Sequence, residues 1–124
     1  MDTYAWVEYL IGSAKGETVR KLFRNEAHEF LTAESSLSEL RGWALREKKD
    51  FGELFSVVKT NSHIEAVYLE DWLEAADVKS AMRKDMPDFG LMDALLVAKQ
   101  KRHGGKIVSG DPHFKDMKNV VYLK

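Results

Sequence analysis

Apolar residues along the chain recur first at helical spacing, then at strand spacing, and the two kinds of segment alternate to the end. "TYAWVEYLIG" (3–12) reads as a helix stopped by Gly12, a residue free to take the left-handed cap. "ETVRKLFRN" (17–25) reads as a second short helix, and "HEFLT" (28–32) as a strand with weak alternation. In "SSLSELRGWALREKK" (35–49), Leu37, Leu40, Ala44 and Leu45 fall on one helical face. "DFGELFSVVKT" (50–60) continues that pattern, and "IEAVYL" (64–69) is a strand candidate. "EDWLEAADVKSAMRK" (70–84) is amphipathic and helical. "DFGLMDALLVAKQKRHGG" (88–105) reads as a helix that begins after Pro87 and stops at Gly104. "KIVS" (106–109) and "NVVYL" (119–123), rich in β-branched residues, read as the last two strands.

Alternating strands and helices predict an α/β fold: a three-layer α/β/α sandwich with a mainly parallel central sheet covered on both faces. The 124 residues suit one domain, 1–124, and no repeat or linker divides them. In such sheets ligands bind beyond the carboxyl ends of the strands. The informative residues are therefore those just after each strand.

Composition narrows the chemistry. With no cysteine, disulfides and thiolate sites are excluded, which fits a reducing, cytoplasmic setting. No apolar run approaches the ~18 residues of a membrane span. The net charge of −1 advertises no global attraction for nucleic acid, so any such binding rests on local patches or on a metal.

Four acids stand out. Asp111 follows "KIVSG" at a strand end, where it reads either as a turn or helix-capping residue or as a ligand. Asp2 precedes the first helix and reads equally as its cap. Glu39 completes a Ser36-x-x-Glu39 capping box, a sufficient structural reason for a glutamate. Asp93 shares a helical face with Phe89, Leu96 and Val97, where a carboxylate is costly without a partner, although an acid also suits the first turn of a helix. If the sheet brings these four together, the cluster needs a cation. Oxygen ligands with no cysteine and no evident histidine partner suit Mg²⁺ or Mn²⁺ rather than Zn²⁺. Such ions serve phosphodiester hydrolysis by activating water and neutralising phosphate charge.

The ordered set "DTYAWVEYL", "SLSEL", "DFGLMDALLVA" and "SGDPHF" resembles the PIN-domain family, and within it the VapC-like toxins of toxin–antitoxin systems. The resemblance spans nearly the whole chain. It implies a five-stranded parallel sheet between helices and a Mg²⁺- or Mn²⁺-dependent ribonuclease acting on RNA. It maps the four metal-holding, catalytic acids to Asp2, Glu39, Asp93 and Asp111. Thr3, after the first acid, and Ser109, two before the last, match hydroxyl positions of the family and are candidates for binding water or phosphate, with capping or turn formation as the alternative. An antitoxin protein and a homodimer are the implied partners. One departure stands out. The family has an apolar strand before its first acid, and here only Met1 precedes Asp2. The true start lies upstream, the chain is trimmed, or strand one is lost; a truncated or misassigned start is the reading taken.

Other residues carry two readings each. Arg46 lies two turns past Glu39 on the same face and is a candidate phosphate contact. The cations of "KQKRHGGK" (99–106) complement a helix C-terminus or touch phosphate. Asp88 reads as a helix cap after Pro87, Asp116 as a solvated turn, and His113 as a surface residue with a base or ligand as the alternative. Trp6, Trp43 and Trp72 read as core or interface, and Trp72 with Tyr68 and Leu69 as a dimer face. The expected function is a toxin endoribonuclease. The alternatives are a non-catalytic PIN-like module that binds RNA or a protein, and a phosphatase, for which no Asp-x-Asp pair or glycine-rich phosphate loop is present.

Overall fold

The computed structural model describes all residues, 1–124. Its elements run α1 (Thr3–Ile11), α2 (Ala14–Phe23), β1 (Leu31–Ala33), α3 (Glu34–Glu47), α4 (Phe51–Asn61), β2 (His63–Glu65), α5 (Leu69–Met82), α6 (Leu91–His103), β3 (Ile107–Ser109), a 3₁₀ turn (Pro112–Phe114) and β4 (Val120–Tyr122). No helix is long and apolar enough to cross a membrane.

The helix stops work as their residues dictate. Gly12 ends α1 at φ 71° and Gly104 ends α6 at φ 74°, the left-handed conformation that costs glycine nothing. The strands are shorter than the alternation suggests. β1 pairs with β2 and β3 with β4, both parallel, as two separate two-stranded sheets. The main-chain nitrogens of Met1 and Asp2 lie between them: Met1 donates to the Leu31 carbonyl at 3.0 Å and Asp2 to the Val108 carbonyl at 3.2 Å. These two residues hold the half-sheets together where a full strand would run in a continuous sheet.

Side-chain alternation along β3 and β4 separates two cores. Val108 and Val121 face a cluster built on Trp6, Val19, Leu40 and Val58, from α1 to α4. Ile107 and Val120, their chain neighbours, face a second cluster built on Ala75, Phe89, Leu95 and Phe114, chiefly from α5 and α6. Helices therefore cover both faces of the strands, giving the expected three-layer α/β/α arrangement.

One local expectation is corrected. "IEAVYL" leaves the strand after Glu65, because Lys99 Nζ donates to the Ala66 carbonyl at 2.6 Å and the Val67 N–H turns to Glu34 Oε2 at 3.2 Å. Neither main-chain group then remains for a ladder. The cations of "KQKRHGGK" are largely used inside the fold. Lys99 Nζ lies 2.8 Å and Arg102 Nη2 2.9 Å from buried Asp71, and His103 Nε2 lies 3.1 Å from Glu65.

Candidate metal centre

Each of the four sequence-predicted acids sits where a chain element begins or where a helix face meets the strand ends. Asp2 caps α1, its Oδ1 accepting the Ala5 N–H at 2.9 Å. Asp93 lies in the first turn of α6 and accepts the Gly90 N–H at 3.3 Å. Asp111 caps the 3₁₀ turn by accepting the His113 N–H at 2.9 Å. The local readings hold: Asp2 and Asp111 are caps, and Asp93 is an acid in the first turn of its helix. They are also incomplete, because all three line one cavity of about 320 Å³ together with Glu39.

Glu39 reaches that cavity for a different reason. α3 starts at Glu34 with Ala33 as its cap, so Ser36 and Glu39 lie inside the helix and form no capping box. Glu39 Oε1 instead accepts from Thr3 Oγ1 at 2.8 Å, tying α3 to the start of α1. Thr3 thus orients an acid. Ser109 does the same: its buried hydroxyl donates to Asp2 Oδ2 and accepts the Asp111 N–H at 2.9 Å. The Ser109 hydroxyl thus spends its donor on Asp2 and one of its two acceptor positions on Asp111. Arg46 stands exposed on the cavity wall, two turns from Glu39 as the helical spacing requires.

Crowding and burial raise the acids. Burial pushes the Asp2 carboxyl up to about 6, against the opposing bonds from Ser109 and Ala5 and with a further push from Asp111. Asp93 is raised by burial and then by Asp111, against the Gly90 bond. Glu39 is raised by burial, with added repulsion from Asp93 and Asp111 and opposition from Thr3. Acids in this condition are stabilised by a positive charge among them.

The sequence reading underrated His113. It is half-buried, with Nδ1 2.9 Å from Asp93 Oδ2 and 3.4 Å from Asp111 Oδ1, and Nε2 3.0 Å from Asp88 Oδ2. Asp88 therefore does not cap α6, whose cap is Gly90; it holds the outer nitrogen of this imidazole. The Asp88 bond is the main cause that raises the His113 pKa, with the Asp111 and Asp93 charges adding to it against burial. The 3₁₀ turn that delivers His113 comes from "DPH", and no pattern in the sequence says that Asp88 will meet it. Glu8 was also missed. It shares a face of α1 with Tyr4 in the same cavity wall, and helical spacing counted forward from Tyr4 reaches it.

The donor set fits a divalent cation. Asp93, Asp111 and His113 each offer one atom within 4.8 Å of the others, and Asp2 and Glu39 add carboxylates across the cavity. Carboxylates dominate, as Mg²⁺ and Mn²⁺ prefer, and the imidazole is a partner that the sequence offers only as the alternative to a surface residue.

The family model described as PIN domain matches residues 1–120. No curated protein matches the chain.

Proposed function

The chain belongs to the PIN-domain family, generally nucleases that act on RNA with divalent metal ions, and from that premise we propose that it is a Mg²⁺- or Mn²⁺-dependent endoribonuclease. The observation that carries the reading is the convergence of Asp2, Glu39, Asp93 and Asp111 on one cavity at the carboxyl ends of the strands, with Arg46 in its wall.

In this reading Asp93 and Asp111 would hold the ion, with Asp2 and Glu39 completing the set. A bound divalent ion supplies a water of lowered pKa, charge neutralisation for the phosphate and stabilisation of the leaving oxygen. The protein's own residues do the rest. Thr3 holds Glu39 Oε1, leaving Oε2 to orient the attacking water and take its proton. Ser109 keeps the Asp2 carboxylate aimed into the cavity. Arg46 receives a phosphate of the RNA backbone. His113, as a cation, neutralises part of the acid cluster.

The finer assignment is a cytoplasmic toxin, a single domain over 1–124, restrained by an antitoxin and paired as a homodimer. What supports a partner is the apolar surface of α5, where Leu69 is 71% and Leu73 62% exposed beside Tyr68 and Trp72.

The test is cleavage of a mixed-sequence single-stranded RNA with Mn²⁺ and with EDTA, comparing wild type with Asp93→Asn. Cleavage that requires both the metal and Asp93 is expected. Metal-independent RNA binding without cleavage, by protein shown to be folded, would assign the chain to the binding-module alternative.

A further inference from the structure

Two aromatic rings from different helices line the acid cavity, Tyr4 of α1 and Trp43 of α3. The fold already uses Tyr4. Lys15 Nζ donates to its hydroxyl at 2.8 Å and stands 5.2 Å from its ring centroid. The same ring presses so closely on Gly110 that a Cβ there would collide with it. Trp43 has no such duties. It packs against the first core yet stays only half-buried, and it shares the cavity wall with Glu39 and Arg46. It pairs with no other ring and takes no cation over its face. Its indole N–H has no partner in the protein, whereas that of buried Trp6 donates to Thr32 Oγ1 at 3.1 Å. We propose that Trp43 is the platform for one unpaired nucleobase next to the phosphate held at the acids, so that the RNA strand crosses the cavity along α3 from Glu39 over Trp43 to Arg46. The proposal rests on the reading of this cavity as a ribonuclease site.

The order of residues on α3 is the first argument. Glu39, Trp43 and Arg46 stand at i, i+4 and i+7, on one stripe of the helix. At 1.5 Å per residue, Trp43 lies about 6 Å beyond Glu39 along the axis, and Arg46 about 4.5 Å beyond Trp43. Acid, aromatic and cation thus follow one another as a metal-held phosphate, a base and the next phosphate do along a strand.

The second argument is the chemistry of the walls. Beside the acids, Val7 of α1 and Met92 and Leu96 of α6 make part of the cavity apolar. Phosphate and ribose gain nothing from these side chains, whereas a base stacked on an aromatic ring does. The third is size. The cavity of about 320 Å³ lies at the lower end of the roughly 300–1,000 Å³ of small-molecule sites, which suits one nucleotide. A base inside a duplex has both faces covered by its neighbours, so only an unpaired one turns a face to Trp43. Every base has such a face. Trp43 therefore selects unpaired strand rather than a particular letter.

Titration calorimetry with Mn²⁺ present compares adenosine 5′-monophosphate and adenosine 3′-monophosphate with ribose 5-phosphate, which has the phosphate without the base. Monoesters contain no phosphodiester, so they persist during the measurement. The proteins are wild type, Trp43→Phe, which keeps an aromatic face, and Trp43→Leu, which keeps only an apolar side chain. At least one adenosine monophosphate is expected to bind wild type about tenfold tighter than ribose 5-phosphate. Trp43→Phe should keep most of that preference and Trp43→Leu should lose it, with ribose 5-phosphate bound alike by all three. The same nucleotide should quench tryptophan emission in wild type and not in Trp43→Phe, which still binds it. Equal quenching in these two proteins overturns the proposal, whether or not Trp43→Leu folds. So does a preference that survives in folded Trp43→Leu. Equal binding of the three ligands by wild type also overturns it, and leaves the nuclease reading standing because the acids still take phosphate. Binding of none of them by folded protein overturns the nuclease reading and the proposal together.

Discussion

His113 Nδ1 lies 2.9 Å from Asp93 Oδ2, while its Nε2 lies 3.0 Å from Asp88 Oδ2. The ring therefore bridges the loop before α6 and the acid cluster, and as a cation it relieves repulsion between Asp93 and Asp111. Replacing it with glutamine removes that charge while keeping a polar side chain. Because the folded-state pKa of His113 is raised above 6.5, its stabilisation is complete below 6.5 and disappears as pH climbs through the folded value. His113→Gln is expected to cost about 1 kcal/mol at pH 5.5 and close to nothing at pH 9. Urea denaturation of metal-free protein at the two pH values measures the difference, and an equal cost at both would remove the charge argument.

Asp2 gives the opposite lever. Its carboxyl is raised from 3.8 to about 6, chiefly by burial, so the folded state binds a proton more readily than the unfolded chain. Below 3.8 both states are protonated and the aspartate carries no penalty. As pH rises through the window between 3.8 and about 6, holding the buried carboxylate costs stability, at most about 3 kcal/mol. Asparagine keeps the cap on the Ala5 N–H without the charge. Asp2→Asn is therefore expected to match wild type near pH 3.5 and to exceed it above pH 6. Denaturation midpoints across that range decide it, and a constant gap would show that burial of the charge is not the cause.

How much of this was legible in the sequence depends on the range of the contact. The layering was legible, because Ile107 and Val108 announce by alternation that both faces of their strand are covered. The four acids were legible as an ordered set, and three of them carry a local capping role as well. The reason for Glu39 was not. The Ser36–Glu39 spacing fits a cap, but α3 starts two residues before Ser36, and the true partner, Thr3, is 36 residues away. His113 was hidden in the same way, since its place depends on Asp88 and Asp93 arriving from an earlier loop and helix. The end of β2 was misjudged because a lysine from α6 takes the Ala66 carbonyl. Each miss is a side chain from a distant element meeting a backbone or carboxylate group, which periodicity does not encode.

Arg46 tests the route of the RNA. It is exposed on the wall of the acid cavity and has no ion-pair partner. A phosphate contact there acts on binding rather than on the bond that breaks, so Arg46→Ala is expected to raise KM by roughly three- to tenfold with kcat little changed. The dependence of binding on salt should flatten by about one phosphate contact. A fall in kcat with KM unmoved would instead put Arg46 at the reacting phosphate.

Ser109 links Asp2 to Asp111 and is buried, so its effect on catalysis must pass through those acids. Its hydroxyl is the largest of the influences that hold the Asp2 pKa down against burial. Ser109→Ala removes that bond, and the Asp2 carboxyl rises further. If ionised Asp2 is needed for cleavage, the acidic limb of the pH–rate profile moves to higher pH. Activity near pH 6 should then drop by roughly fivefold for the first unit of displacement. At pH 9, where the carboxyl is ionised in both proteins, most of the rate should return. A serine that only packed the strand end would lower the rate by the same factor at every pH, so the profile measured with saturating Mn²⁺ separates a positioning role from a structural one.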